Sequence, residues 1–303
     1  MSVSHAGLMW CAAFVVLDAA QAVLFGAFLQ RMDSFLIGFL VFGLSSLACA
    51  LVVLVRSREQ MRSAFSDPST LIGLNVSSAA GWLTYLGAIQ LIEPAVAFTI
   101  FSGVIPLMIH AYARKDSRVA DTGTWEASGL ALLSFGLCVL GAATLAGWSG
   151  FVRGGVGVAV AGLLLAILSG VFMAAMLLTS YRLSARAIGP AAVFALRFPL
   201  YLLLAGLGWF WGFDHKGAVS TSDLATAFLA GLVVLAFPIY AVQKAVSLTP
   251  AATVGAATAL IPVVVFLMQL LEGRVDYASA TLIGLAVYTA GALVAAVARA
   301  GRA

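Results

Sequence analysis

Charge is what this sequence has least of. Of its 303 residues only 9% are charged, against 63% hydrophobic, where a soluble globular domain carries about 25% charge. Twelve acids and sixteen bases cannot coat a globule of this size, so its surface is largely apolar. That excludes a soluble enzyme and a disordered tail. A mean hydropathy of +1.09 leaves a chain whose solvent is mostly lipid. Alternation of the membrane-barrel kind is missing too. The apolar runs are unbroken over about 20 residues rather than alternating in segments of about 10. Cysteine is scarce, with Cys11, Cys49 and Cys138 all inside apolar runs. An odd number of such residues builds no disulfide framework, and their spacing gives no metal pattern. The net charge of +4 comes from bases scattered over short loops, which is not a nucleic-acid surface. No cofactor motif is present either.

What is present is a series of ten apolar segments. They lie near 7–29, 34–55, 70–92, 95–113, 126–148, 157–181, 190–211, 224–243, 250–271 and 278–298. Each is near the roughly 20 residues that cross a bilayer core. The first is no cleavable signal, because it lacks a basic leader, is too long and carries Asp18 in its middle. Lys and Arg divide unequally between alternate loops. Eleven fall in one set, among them Arg56, Arg58, Arg62, Arg182 and Arg186; four fall in the other, Arg31, Arg153, Lys216 and Arg274. The positive-inside rule puts the first set, and both termini, in the cytoplasm of a bacterial inner membrane. Trp148, Trp209 and Trp211 then stand at outer helix ends, where amphipathic rings favour the interface.

The two halves, 1–150 and 151–303, repeat one another. Tyr85, Pro94 and Pro106 are matched by Tyr240, Pro250 and Pro262, and Gly129 with Gly136 by Gly284 with Gly291, near an offset of 155 residues. Five spans per repeat is odd, so the halves insert in opposite orientations. Inverted repeats are a recurrent build of secondary transporters, with the substrate near the midplane at the repeat interface. The fold expected is therefore an all-α polytopic membrane protein of ten helices in two inverted five-helix repeats.

The stretches AATVGAATALIPVVVFLMQLLEG and TLIGLAVYTAGALV, with the ten spans and the repeat, resemble the drug/metabolite transporter superfamily of EamA type. The resemblance covers nearly the whole chain, and is strong for segments 8–10, good for 3–5 and weak for 1 and 2. Two departures stand out. The family's Gly-Glu after the ninth helix is inverted as Glu272-Gly273. Its arginine in the second helix of a repeat is matched by Arg197 in the second half only, with apolar Phe42 in the first. The resemblance implies an exporter of amino acids or related metabolites, a metal-chelating derivative among them. Carriers of nucleotide-linked or phosphorylated solutes, or of drugs, are the alternatives, and family membership fixes fold better than cargo.

The candidate site residues follow from polarity inside lipid. Asp18 lies about twelve residues into segment 1, roughly 18 Å along the axis and so near the midplane. A carboxylate there costs about 2.5–3.5 kcal/mol on the insertion scale and is functional by default. It is the expected centre of binding and the candidate proton-coupling group, with Gln21 on the same face. Segment 3 sets Asn75, Ser78, Trp82 and Tyr85 at helical spacing, segment 4 His110, segment 8 Tyr240 and segment 9 Gln269. Such a mixture suits a small amphipathic solute, although single hydroxyls more often bond to neighbouring helices. Pro106 and Pro262 each free a carbonyl and are read as hinges. The paired glycines are read as close-packing supports. Arg197 either binds a carboxylate in the path or, the favoured reading, forms one half of a structural or gating ion pair. Glu93 and Glu272 are read as solvated or capping groups at outer helix ends, where water reaches them. A membrane enzyme or a sensor is the rival class, but no catalytic pair, phosphate loop or output domain is present, so no enzymatic activity is expected.

Overall fold

The structure is a computed structural model and describes residues 5–113, 123–217, 219–249 and 251–300. It is all-α. Among the described residues the sole β feature is an isolated bridge between Ile92 and Val152. The helices are α1 (His5–Arg31), α2 (Ser34–Arg56), α3 (Arg58–Phe65), α4 (Pro68–Leu91), α5 (Pro94–Ala113), α6 (Thr124–Leu145), α7 (Val156–Ser184), α8 (Pro190–Arg197), α9 (Pro199–Phe210), α10 (Thr221–Leu248), α11 (Ala251–Glu272) and α12 (Ser279–Ala300). Among the described residues eight spans are long and apolar enough to cross a membrane, taking α8 and α9 as one. The protein is thus a multi-pass membrane protein. The third and eighth expected segments are α4 and α10.

Local chemistry sets the helix ends. Asp33 accepts the backbone N–H of Phe35 and Leu36 to start α2, and Asp67 accepts that of Thr70 to start α4, both satisfying otherwise orphaned donors. Pro68, Pro190 and Pro199 each stand in the first turn of their helix, where a missing N–H costs nothing. The inverted Glu272-Gly273 pair also has a reason. Gly273 follows the end of α11 at φ +80, a left-handed conformation that glycine alone adopts freely.

One expected span differs from its reading. Segment 190–211 is not one helix but two, α8 and α9, parted at Phe198–Pro199. Pro199 cannot donate to the carbonyl a turn earlier, and its ring crowds that turn. The severed ends are stapled by Asn75 of α4. Its Nδ2 donates to the carbonyl of Leu196 at 2.8 Å, and its Oδ1 accepts the N–H of Leu200 at 3.2 Å.

Packing runs mainly between the two halves of the chain. α6 lies along α12, α4 and α5 along α7, α1 along α10 and α11, and α2 along α8 and α9. The α6–α12 seam is backbone to backbone. A Cβ on Gly129 would stand 2.4 Å from Ala295 N, on Gly136 2.5 Å from Tyr288 N, and on Gly291 2.3 Å from Leu133 N, while on Gly284 it would meet Leu140 Cδ2 at 2.6 Å. The glycine pairs therefore act as the supports expected of them. The outward surface is apolar, with Leu47, Leu164, Leu203, Leu267 and Ile283 exposed, and Trp148, Trp209 and Trp211 exposed at helix ends.

Candidate substrate cavity

Seven helices, α1, α2, α4, α5, α7, α8 and α10, enclose a cavity of about 440 Å³. Aromatic rings, Phe42, Trp82, Tyr85, Phe98, Phe101 and Phe194 among them, make up much of its wall. The Phe42 ring lies 4.6 Å from Trp82, 4.5 Å from Phe198 and 4.9 Å from Tyr201. Tyr85 continues the wall against Phe101 at 5.0 Å and Phe98 at 6.5 Å. These centroid separations are those of offset and edge-to-face pairs, which fix ring orientation as well as burying area.

Five of the expected residues meet here: Asp18, Gln21, Trp82, Tyr85 and Arg197 all line the cavity. Asp18 is half-buried and, among the described residues, has no ion-pair partner. Arg197 ends α8, at the α8–α9 break, and lines the cavity. Its guanidinium carbon stands 4.7 Å from the Phe194 centroid and 4.6 Å from that of Phe198. The ion pair expected of Arg197 is absent among the described residues.

The other expected residues are placed elsewhere. Asn75 is spent on the α8–α9 staple, and Ser78 is fully buried outside the cavity lining. His110 is half-buried toward the end of α5, outside the lining. The side chain of Tyr240 lies outside the described residues. Pro106 and Pro262 sit within α5 and α11, both of which continue past them; neither lines the cavity, whereas Pro238 of α10 does. Gln269 is buried in a different cluster at one end of the bundle.

That cluster is built on Glu93, which is 0% exposed and not water-reached as expected. Burial pushes its carboxyl up from the ordinary range, opposed by three hydrogen bonds. Thr281 Oγ1 and the N–H of Gly150 each donate to it at 2.8 Å, and Gln269 Nε2 donates to its other oxygen. Gln269 also accepts the N–H of Ala95 at 3.0 Å. Four elements are thereby tied together: the α4–α5 turn, the α6–α7 connection, α11 and α12. Beside it, Lys216 donates to Gln90 Oε1 at 2.8 Å, to the Met32 carbonyl at 3.3 Å and to Asp214. Asp214 in turn accepts from Ser34 N at 3.0 Å and Ser34 Oγ at 2.6 Å. These two clusters draw the helix ends together on one side of the bundle. At the other end the cavity lining reaches Ser184 and Pro190, which are exposed on the side bearing Arg182 and Arg186.

Sequence reasoning missed most of the box. Phe98, Phe101 and Phe194 gave no signal, because phenylalanine is equally at home against lipid. Phe42 was noticed only as the residue standing where an arginine was expected. Pro199, following Phe198, was the available signal for the break.

No family model matches the chain, and no curated protein matches it. A solved crystal structure is similar over 99% of this chain and 99% of its own length, with a TM-score of 0.64 and 19% sequence identity. At that identity the likeness is one of fold.

Proposed function

We propose that this protein is an inner-membrane secondary transporter with both termini cytoplasmic, exporting an amino acid or amino-acid-derived metabolite, metal-chelating derivatives included, by alternating access. In this reading ten spans form two inverted repeats, with α4 and α10 completing the eight apolar spans. The glycine seam supports the symmetry. The contact of Gly129 with Ala295 is mirrored by that of Gly284 with Leu140, and Gly136 with Tyr288 by Gly291 with Leu133, each partner displaced by the repeat offset. EamA-type exporters are the family this architecture fits.

The observation that carries the reading is the lone carboxylate of Asp18 in an aromatic cavity with access at one end of the bundle. A carboxylate without a cation of its own is a site for a cationic amine, and aromatic walls hold the apolar remainder. Asp18 is also the proton-coupling group, releasing a proton as the amine arrives and regaining one when the site empties. Pro106 and Pro262 serve as flexing points, since each deprives the carbonyl four residues earlier of its helical bond. A nucleotide-linked or phosphorylated cargo needs several bases, and Arg197 is the only base among the described residues of the lining. The chemistry is carriage, with no covalent step.

The test is Asp18→Asn in proteoliposomes. The substitution keeps size and hydrogen bonding but cannot ionise. Insertion and thermal stability should match the parent, while transport of amine-bearing solutes falls roughly 10- to 100-fold, the worth of a charge-assisted hydrogen bond. Transport at the parent's rate and with its pH profile would make the acid structural.

A further inference from the structure

We infer that Arg197 reads an anionic group on the cargo, so that the cavity selects molecules carrying a carboxylate as well as an amine. This rests on the transporter reading and extends it. A guanidinium has five N–H donors in a rigid fork and accepts nothing. Here the fork is underused. Nε is buried without a hydrogen-bond partner, and NH1 reaches only Met176 Sδ at 3.8 Å, a weak acceptor. The faces of Phe194 and Phe198 hold the cation in place, but a ring face satisfies charge and not the in-plane donors.

Two neighbours on the same walls share the deficit. Trp82 Nε1 and Tyr85 Oη are buried without partners, and both residues line the cavity. Buried donors left unpaired in a finished fold cost free energy. All three belong to residues that line one space, where Asp18 is the sole carboxylate among the described lining residues, and the acceptor they lack is one that a bound molecule can bring. A carboxylate is the acceptor that suits the guanidinium, since it takes a bidentate fork and has lone pairs to spare. Asp18 takes the opposite charge of the same molecule.

Arg197 is also well placed to be positioned by the fold. It is the last residue of α8, a helix end that favours a cation, and the Asn75 staple fixes the α8–α9 joint that carries Phe198. Its surroundings thus hold the guanidinium still while giving its donors no strong acceptor, which is the arrangement of a recognition group rather than of a paired structural one.

The experiment is equilibrium binding to the purified full chain in detergent. The probes are L-leucine, L-phenylalanine and L-histidine, each with its methyl ester, which lacks the carboxylate, and its N-acetyl derivative, which lacks the ammonium. The parent should bind a free acid roughly 10- to 100-fold more tightly than its ester. In Arg197→Gln the acid-to-ester ratio should fall to about one while discrimination against the N-acetyl derivative persists. Arg197→Lys, which keeps charge but not the fork, should restore part of the ratio, and serves if Arg197→Gln does not fold. Equal binding of acid and ester by the parent, or an undiminished ratio in either foldable variant, overturns the assignment of Arg197 alone. Failure of the parent to bind any of the nine probes overturns the amino-acid cargo and this assignment together.

Discussion

Adding one methyl group to the α6–α12 seam tests how the bundle is held. A Cβ on Gly129 would stand 2.4 Å from Ala295 N and 2.8 Å from Ala295 Cα. Both are backbone atoms, so no side-chain rotation relieves the clash. Ordinary contact begins at 3.4 Å, and the helices must part by about 1 Å. A gap of that size forfeits a quarter to a half of each facing van der Waals contact. In lipid, such packing is the main attraction between helices. Gly129→Ala should therefore cost about 1–3 kcal/mol, the range for overpacking, despite the roughly 0.5–1 kcal/mol that alanine gains over glycine inside a helix. Gly291→Ala should cost a similar amount, since its Cβ would meet Leu133 N at 2.3 Å and Gly129 O at 2.8 Å. The double variant should cost less than the sum, because one separation relieves both clashes. Gly141→Ala is the control on the same helix, since its Cβ would meet nothing within 4 Å; it should be neutral or stabilising. Unfolding midpoints in one detergent, by heat or by denaturant, provide the assay. If Gly129→Ala and Gly141→Ala unfold together, the helices are not in backbone contact and the reasoning fails.

Further expectations concern the joint, the closed end and the sidedness. Asn75→Ala should lower stability by about 1–3 kcal/mol, because it leaves the Leu196 carbonyl and the Leu200 N–H buried without a partner; a thermal midpoint equal to the parent's would mean the staple is idle. Glu93 is raised by burial, so the folded state holds its proton to higher pH than the unfolded chain does. Its contribution should be greatest at low pH and fall as pH rises from the ordinary carboxylate range through the raised value; Glu93→Gln should flatten that part of the profile, and parallel parent and variant profiles would contradict this. For topology, single cysteines at Ser63 and Ser220 in a cysteine-free background should label oppositely with an impermeant maleimide on intact cells. Ser220 should react and Ser63 should not, and the reverse pattern would invert the assignment.

The sequence made some of this legible because lipid is a strict solvent. Unsatisfied backbone is forbidden there, so the long apolar segments translate directly into helices. Asp18, Gln21, Trp82 and Tyr85 could be picked out because polarity or an amphipathic ring in mid-span is costly and helical spacing groups them. The same rule over-reached at Asn75 and Gln269. Their polarity is satisfied by backbone and by Glu93 and is not presented to the cavity. Arg197 was found for its charge, but whether it had a partner depends on what α2, α4 and α7 bring near it. Glu93 was misjudged because a residue at a helix end can face water or the neighbouring helix ends, and only tertiary packing decides. Phe198–Pro199 shows a local signal outweighed by an unbroken hydrophobic run.

The crossing of contacts between halves bears on how the chain is made. As α1, α2, α4 and α6 leave the ribosome, the helices they pack against have not been synthesised. Asp18 and Gln21 emerge on α1 before α10 and α11 exist to cover that helix, and the groove at Gly129 and Gly136 waits for α12. The nascent first half is therefore an open set of helices, and the backbone seam closes only when α12 seats against α6. A chain cut short before α12 would lose the backbone seam as well as one helix.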